Sequence, residues 1–272
     1  MAIVVTEIGA RAWSAVTASG GTARVLAPLT RSIYLTAGDE IVWLASADAE
    51  SHGRAILTSA LPQPPPSLGD SMRLSIEHAR RWQPPALVAT TSAQLSTAAR
   101  GLVARIAEIG EPEGLGAMLV GHVPSFPLDG AVKMARELAE ACAANDPDAA
   151  VSAAMPLLGL GPGLTPAGDD FVGGAFFACV VLNEIRANDN ADWQRAASVV
   201  MTAARERTHP ISVALLGDLV AGEGYAALHD LAVALTTGVS DFHAAQRLTR
   251  IGHSSGWDVL AGFLGVLVAQ AS

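Results

Sequence analysis

The segment from Gly159 to Gly174, GLGPGLTPAGDDFVGG, combines residue types that suit the binding of an anion. Glycines let the backbone approach a ligand closely, and the free amides at the start of the following helix, together with its dipole, favour negative charge. Thr165 adds a hydroxyl donor, and Asp169 or Asp170 could cap the helix or, beside a phosphate, hold Mg²⁺. The predicted anion cradle consists of Gly161, Gly163, Thr165 and Gly168.

This segment lacks the landmarks of the common nucleotide-binding loops. No GKS or GKT follows it, which excludes a Walker A loop, and no clear strand precedes it, which argues against a dinucleotide-binding fingerprint. The structural alternative is an elaborate turn leading into an apolar helix, with Asp169 as its cap. On this segment alone, the anion-binding interpretation is only slightly favoured over the structural one.

A second segment, Ile251 to Phe263 with the sequence IGHSSGWDVLAGF, aligns with the first in the pattern G-x-D-x-x-x-G. The alignment matches Gly168 with Gly256, Asp170 with Asp258 and Gly174 with Gly262. A glycine one turn after the aspartate allows close helix approach, so two such helices packed together would bring both aspartates to one end. The shared site is refuted if Asp170 and Asp258 lie far apart. His253, Ser254 and Ser255 are predicted to donate hydrogen bonds to the anion; a Ser-His-Asp triad is the weaker interpretation because these residues are so close in sequence.

The segment THPIS, from Thr208 to Ser212, is a third polar stretch before an apolar helix. His209 could act as a general acid or base and Ser212 could supply a hydroxyl at the same pole. The alternative is that Thr208 caps the helix and Pro210 occupies its first turn. The predicted catalytic residues are Asp169, Asp170, His253 and Asp258, and the predicted anion-binding or substrate-binding residues are Gly161, Gly163, Thr165, Gly168, His209, Ser212, Ser254 and Ser255.

The histidines show no HxH or HExxH spacing, so no preformed metal site is predicted. Asp170 would be the ligand if Mg²⁺ accompanied the bound phosphate, and no other cofactor is expected.

Two kinds of element must position these loops. Residues 22–90 contain five short β-rich runs separated by turn signals, which predict a small β-barrel or sandwich. After Thr91 the chain is rich in Ala and Leu at helical spacing, and further helices are predicted over 171–186, 192–207, 211–221, 225–237, 241–250 and 256–270. We therefore predict an α+β protein with a β-rich N-terminal module, residues 1–95, and a helical domain, residues 96–272, that carries both Gly-rich loops.

Composition limits the partners and the location of the 272-residue chain. Its net charge of −9 argues against a nucleic-acid binder, which needs clustered basic residues. Its apolar runs fall short of the roughly 18 residues that span a membrane, and no secretory signal is evident. Cys142 and Cys179 are typical of buried thiols in a reducing compartment, and we expect a cytoplasmic protein that binds a small anionic metabolite and is compatible with homo-oligomerisation.

The three segments together resemble the signature of a bacterial family that includes the AllH-type subunit of oxamate carbamoyltransferase. GLGPGLTPAGDDFVGG is the most specific of them, followed by THPIS and IGHSSGWDVLAG. The run from Arg24 through RAIL and GDSMRLSI is similar in order to the β-rich beginning of that family.

The resemblance implies a carbamoyltransferase system of anaerobic allantoin catabolism, part of purine degradation, in which carbamoyl phosphate and an oxamate-like substrate are interconverted with phosphate and a carbamoylated product. FdrA-like and AllG-like partner subunits are implied with it. Two other interpretations stay open from the residues: a non-catalytic metabolite-binding or assembly subunit, and a stand-alone amidohydrolase-like enzyme with an Asp-activated water.

Overall fold

The computed structural model describes residues 2–186 and 190–270, and the chain forms two compact units, residues 1–84 and 85–272. The first unit is mainly β-sheet and the second is mainly helical. The predicted α+β class is confirmed.

The N-terminal unit is a closed barrel with one helix. Strands pair in the order β5-β4-β3-β2-β6-β1, and a further pairing of β5 with β1 closes six strands into a ring, which decides for a barrel over a sandwich. The seventh strand extends the sheet by pairing in parallel with the end of β1. The elements are β1 (Ile3–Gly9), α1 (Ala10–Ala18), β2 (Thr22–Pro28), β3 (Ser32–Ala37), β4 (Glu40–Ser46), β5 (Ala55–Thr58), β6 (Ser71–Ser75) and β7 (Arg80–Trp82).

Strands β2 to β6 are the five β-rich runs that the sequence indicates, whereas β1, α1 and β7 were not among its predictions. Alternation explains the register: in β3, Ile33, Leu35 and Ala37 point into the core and the residues between them are only partly buried. Helix α1 places Ala12 and Val16 in the same core, where small side chains let a helix fit against the inner strand surface.

The helical unit consists of nine α-helices within its described residues: α2 (Ser92–Val103), α3 (Val132–Ala143), α4 (Pro147–Ala154), α5 (Ala167–Arg186), α6 (Ala191–Arg207), α7 (Pro210–Val220), α8 (Ala226–Thr236), α9 (Phe242–Thr249) and α10 (Ser255–Ala269). Side chains cap the starts of α2 and α4: Thr91 and Gln94 make a reciprocal capping box at α2, and Asp146 accepts a hydrogen bond from the amide of Ala149 at α4, where Pro147 is the first helical residue. A 3-10 helix, Gly114–Val120, joins α2 to α3.

Helices α5 and α10 are apolar around most of their circumference and form the centre of this unit. They cross at reciprocal glycines. A Cβ atom on Gly174 would overlap the carbonyl oxygen of Val259, and one on Gly262 would overlap the carbonyl oxygen of Phe171. The backbones therefore touch where only glycine fits, as the G-x-D-x-x-x-G pattern predicts. Within the described residues, no helix is long and apolar enough to cross a membrane.

Candidate functional site

The N-termini of α5 and α10 have the same local construction. Gly168 and Gly256 are each the second helical residue, and their amides donate to Leu160 O at 2.9 Å and Ile251 O at 3.0 Å, in the preceding loops. Asp170 and Asp258 are each the fourth helical residue. A Cβ atom on either glycine would overlap a carbonyl oxygen of the preceding segment, so each entrance is packed tightly against the chain that leads into it.

Direct contacts join the two entrances at one end of the helix pair. The hydroxyls of Thr165 and Ser255 lie 3.0 Å apart. Ser255 also forms a hydrogen bond with Asp170, and the charge of Asp258 raises the pKa of Asp170. The two aspartates are thus neighbours, and the condition that would have refuted the shared site is not met.

The Gly-rich loop presents backbone amides that no protein acceptor takes within the described part of the chain. They are the amides of Gly161, Gly163, Leu164 and Thr165. Gly161 and Gly163 have φ angles of 113° and 96°, which glycine adopts without strain, and a Cβ on Gly163 would meet nothing within 4 Å. In α5 itself the amides of Gly168, Asp169 and Asp170 are already bonded, so the first helical turn adds at most the amide of Ala167 to those of the loop.

Asp169 holds the loop in place from inside the helix. It is 1% exposed, its Oδ1 accepts from the amide of Gly159 at 2.7 Å, and its Oδ2 accepts from the hydroxyls of Ser212, at 2.6 Å, and of Thr208. The sequence places the start of α5 after Asp170, but the helix begins at Ala167 because Pro166 O accepts the amides of Asp169 and Asp170. Asp169 is therefore not the helix cap.

The THPIS segment supports this same arrangement. The cap of α7 is His209, not Thr208: its Nδ1 accepts from the amide of Ile211 at 3.2 Å. Pro210 occupies the first helical position, as predicted. Ser212 is 1% exposed and its hydroxyl is directed at Asp169. Because Asp169 bonds both Gly159 and Ser212, the THPIS segment lies beside the Gly-rich loop.

Asp170 and Asp258 are buried acids, 6% and 0% exposed. Burial raises the pKa of Asp258 to about 7, with a further contribution from the charge of Glu113, against hydrogen bonds from the Leu115 amide and Ser254 that lower it. Burial likewise raises the pKa of Asp170 well above its ordinary value, followed by the charge of Asp258 and, after the opposing hydrogen bond of Ser255, the charge of Asp169. Each acid retains one buried carboxyl oxygen, Oδ2, that has no hydrogen-bond partner among the residues that the structure describes.

A segment that the sequence analysis did not select, Glu113 to Leu115, also borders the site. The amide of Leu115 donates to Asp258 Oδ1 at 2.6 Å, and Gly114, at φ 55°, leaves the space that this carboxyl fills. Glu113 Oε2 lies 3.4 Å from His253 Nδ1, so the predicted residue His253, whose side chain is 94% exposed, sits at the rim beside Glu113. The EPEGLG run carries a turn signal at Gly114 but nothing that names Asp258, 144 residues away, as its partner.

Among residues 2–186 and 190–270, no group of three or more His, Cys, Asp or Glu side chains is arranged to hold a metal ion. The two entrances bring together backbone amides of the loop, the hydroxyls of Thr165, Ser254 and Ser255, and the buried carboxyls of Asp169, Asp170 and Asp258.

Residues 157–267 match the family model described as oxamate carbamoyltransferase subunit AllH. The matched region starts just after α4 and includes both Gly-rich entrances and the THPIS segment, and it confirms the resemblance for this part of the chain. It includes none of the β-barrel, for which the resemblance stays a prediction. No curated protein and no solved structure matches the chain.

Proposed function

We propose, because residues 157–267 match the AllH family model, that this protein is a subunit of an oxamate carbamoyltransferase-type system. Its role there is to bind carbamoyl phosphate, or a similar small anion, between the paired N-termini of α5 and α10. The observation that carries the proposal is the Thr165–Ser255 contact, which joins two equivalent helix entrances inside the family-matched segment.

The chemistry of carbamoyl phosphate fits this arrangement. It is a small dianion, and transfer of the carbamoyl group leaves negative charge on the departing phosphate. Amides and hydroxyls that are fixed before the ligand arrives stabilise such charge without having to reorganise. The amides of Gly161, Gly163 and Thr165 are donors of this kind, whereas the single hydroxyl proton of Ser255 must turn from Asp170 to reach the ligand.

Isothermal titration of the purified chain with carbamoyl phosphate, phosphate and oxamate tests the binding role. We expect carbamoyl phosphate to bind without partner subunits. Replacing Ser255 by Ala should weaken that binding roughly 10- to 100-fold, since a hydrogen bond to a charged group contributes about 1.5–3 kcal/mol. Ser152→Ala is the matched control, because the exposed Ser152 hydroxyl bonds within its own helix, to Asp148 O at 3.0 Å.

The same titrations separate the competing functions. Absence of binding by the isolated chain would contradict the anion site and favour an assembly subunit. Release of phosphate from carbamoyl phosphate by the chain alone would favour a stand-alone enzyme. FdrA-like and AllG-like partners and a role in allantoin degradation remain predictions from the resemblance, and a cytoplasmic location remains a prediction from the composition of the chain.

A further inference from the structure

The proposed anion site contains an electrostatic conflict. A phosphate group would bind beside Asp170 and Asp258, and ionised carboxylates at this position would repel it. In the described part of the chain, no Lys, Arg or His side chain forms an ion pair with either acid. A buried carboxylate without such a partner is strongly disfavoured and becomes neutral by taking up a proton.

Each of the two acids has a carboxyl oxygen without a hydrogen-bond partner among the described residues, and a proton on that oxygen would make it a donor. Both side chains are more than nine-tenths buried, and the Oδ2 atom of each lies without a donor or an acceptor. A carboxylate can only accept hydrogen bonds, whereas a protonated carboxyl also donates one. An unpartnered oxygen that can donate is suited to an acceptor such as a phosphate oxygen.

We infer that Asp170 and Asp258 bind the anion as neutral carboxyl groups, so that a tetrahedral oxyanion enters this site together with a proton held by the pair. The inference rests on the proposed function and gives these two acids a specific part in it. They are hydrogen-bond donors to the ligand, alongside the loop amides, rather than carboxylates.

Burial first, and then the groups around the pair, set the pH at which the two acids become neutral. Asp170 faces Asp258 and Asp169, while Asp258 faces Glu113, and all of these charges are negative. Ser254, Ser255 and the Leu115 amide oppose them through hydrogen bonds. Because the pKa of Asp258 is about 7, this group is partly ionised at neutral pH before the anion arrives. Binding must then draw a proton from solvent, more so at pH 8 than at pH 6.

Sulfate is the probe for this proton because, unlike phosphate, it does not titrate near neutral pH. Calorimetric titrations at pH 8, with EDTA and in buffers of different ionisation enthalpy, should show uptake that approaches one proton per sulfate bound, and clearly less at pH 6. The affinity for sulfate should fall about tenfold from pH 6 to pH 8, as expected for one linked group with a pKa of about 7.

Asp258→Asn keeps a hydrogen-bond donor at this position but cannot ionise, and its amide oxygen can still accept from the Leu115 amide. This variant should bind sulfate with an affinity that no longer falls from pH 6 to pH 8 and with little proton uptake. Asp258→Ala, which removes the donor, should bind more weakly at both pH values. Glu184→Gln, an exposed change on α5, controls for the altered net charge and should behave like the unchanged protein.

Each failure has a separate meaning. Sulfate binding without proton uptake, or loss of binding in Asp258→Asn with the fold intact by circular dichroism, would overturn the neutral-carboxyl inference alone. Binding that appears only after Mg²⁺ is added in place of EDTA would overturn it too, since a cation rather than a proton would then neutralise the acids. If neither sulfate nor carbamoyl phosphate binds the unchanged protein under any of these conditions, the anion site itself is refuted.

Discussion

The glycine pair at the crossing of α5 and α10 yields the sharpest stability prediction. A Cβ on Gly262 would lie 2.8 Å from Ala175 N and 3.0 Å from Phe171 C, in addition to overlapping Phe171 O. These are backbone atoms, so no rotamer change relieves the clash and the helices must separate. Overpacking of this kind costs about 3 kcal/mol, at the upper end of its usual range, and helix propensity returns about 1 kcal/mol. Gly262→Ala should therefore destabilise the helical unit by about 2 kcal/mol.

Gly265 provides a matched control one turn further along α10. A Cβ there would meet the Cβ of Ala139 at 3.6 Å, which is ordinary van der Waals contact. Gly265→Ala should keep the propensity gain of up to about 1 kcal/mol without a clash. The two variants thus make the same chemical change in the same helix, but their expected effects on the free energy of unfolding have opposite signs.

Thermal unfolding followed by circular dichroism at 222 nm measures this difference, because the helices lie almost entirely in the unit formed by residues 85–272. A difference of about 3 kcal/mol corresponds to midpoints roughly 6–12 °C apart for a unit of this size. Equal midpoints for the two variants would refute the argument that α5 and α10 touch through their backbones. Because the crossing also aligns the two entrances, Gly262→Ala, and not Gly265→Ala, should weaken sulfate binding.

Two further predictions concern the acids. Asp169→Asn should lower the free energy of unfolding in urea at pH 7 by about 1–3 kcal/mol, because one of the buried donors that bond Asp169 loses its acceptor. Asp170→Asn should change it by less than about 1 kcal/mol, because Asp170 Oδ2 has no partner among the described residues. Equal losses in the two variants would contradict the role of Asp169 in holding the loop. The second prediction is a pH dependence. The folded-state pKa of Asp258, about 7, exceeds its ordinary value of 3.8, so its contribution to stability is complete below pH 3.8 and is lost as the pH rises through 7. Between these values the free energy of unfolding should fall by up to about 1.4 kcal/mol per pH unit from this group, and Asp258→Asn should remove that slope in urea titrations from pH 5 to pH 8; an unchanged slope would show that Asp258 does not titrate in this range.

Local patterns were sufficient for the fold class and for most of the element boundaries. The β-rich runs between turn signals, the capping box at Thr91 and the proline after Asp146 are interactions among residues a few positions apart, so the sequence displays them directly. The pairing of α5 with α10 was also predictable, because close helix approach leaves a glycine one turn after each aspartate. Strand β1 and helix α1 were missed. Helix α1 has only nine residues, and β1 is stabilised by strands β5, β6 and β7, which lie far along the chain.

The sequence by itself determined that two G-x-D-x-x-x-G helices would bring their Gly-rich entrances together. Close approach of two helices requires a small residue at the crossing, and the glycine one turn after each aspartate is visible in the sequence. Only the tertiary structure decided that the three neighbouring aspartates have different roles. Asp169 receives three donors and holds the loop, whereas Asp170 and Asp258 keep unpartnered oxygens and raised pKa values. The cause is burial against residues distant in sequence, such as Leu115 and Ser212, since desolvation and hydrogen bonding depend on what surrounds a carboxyl in space.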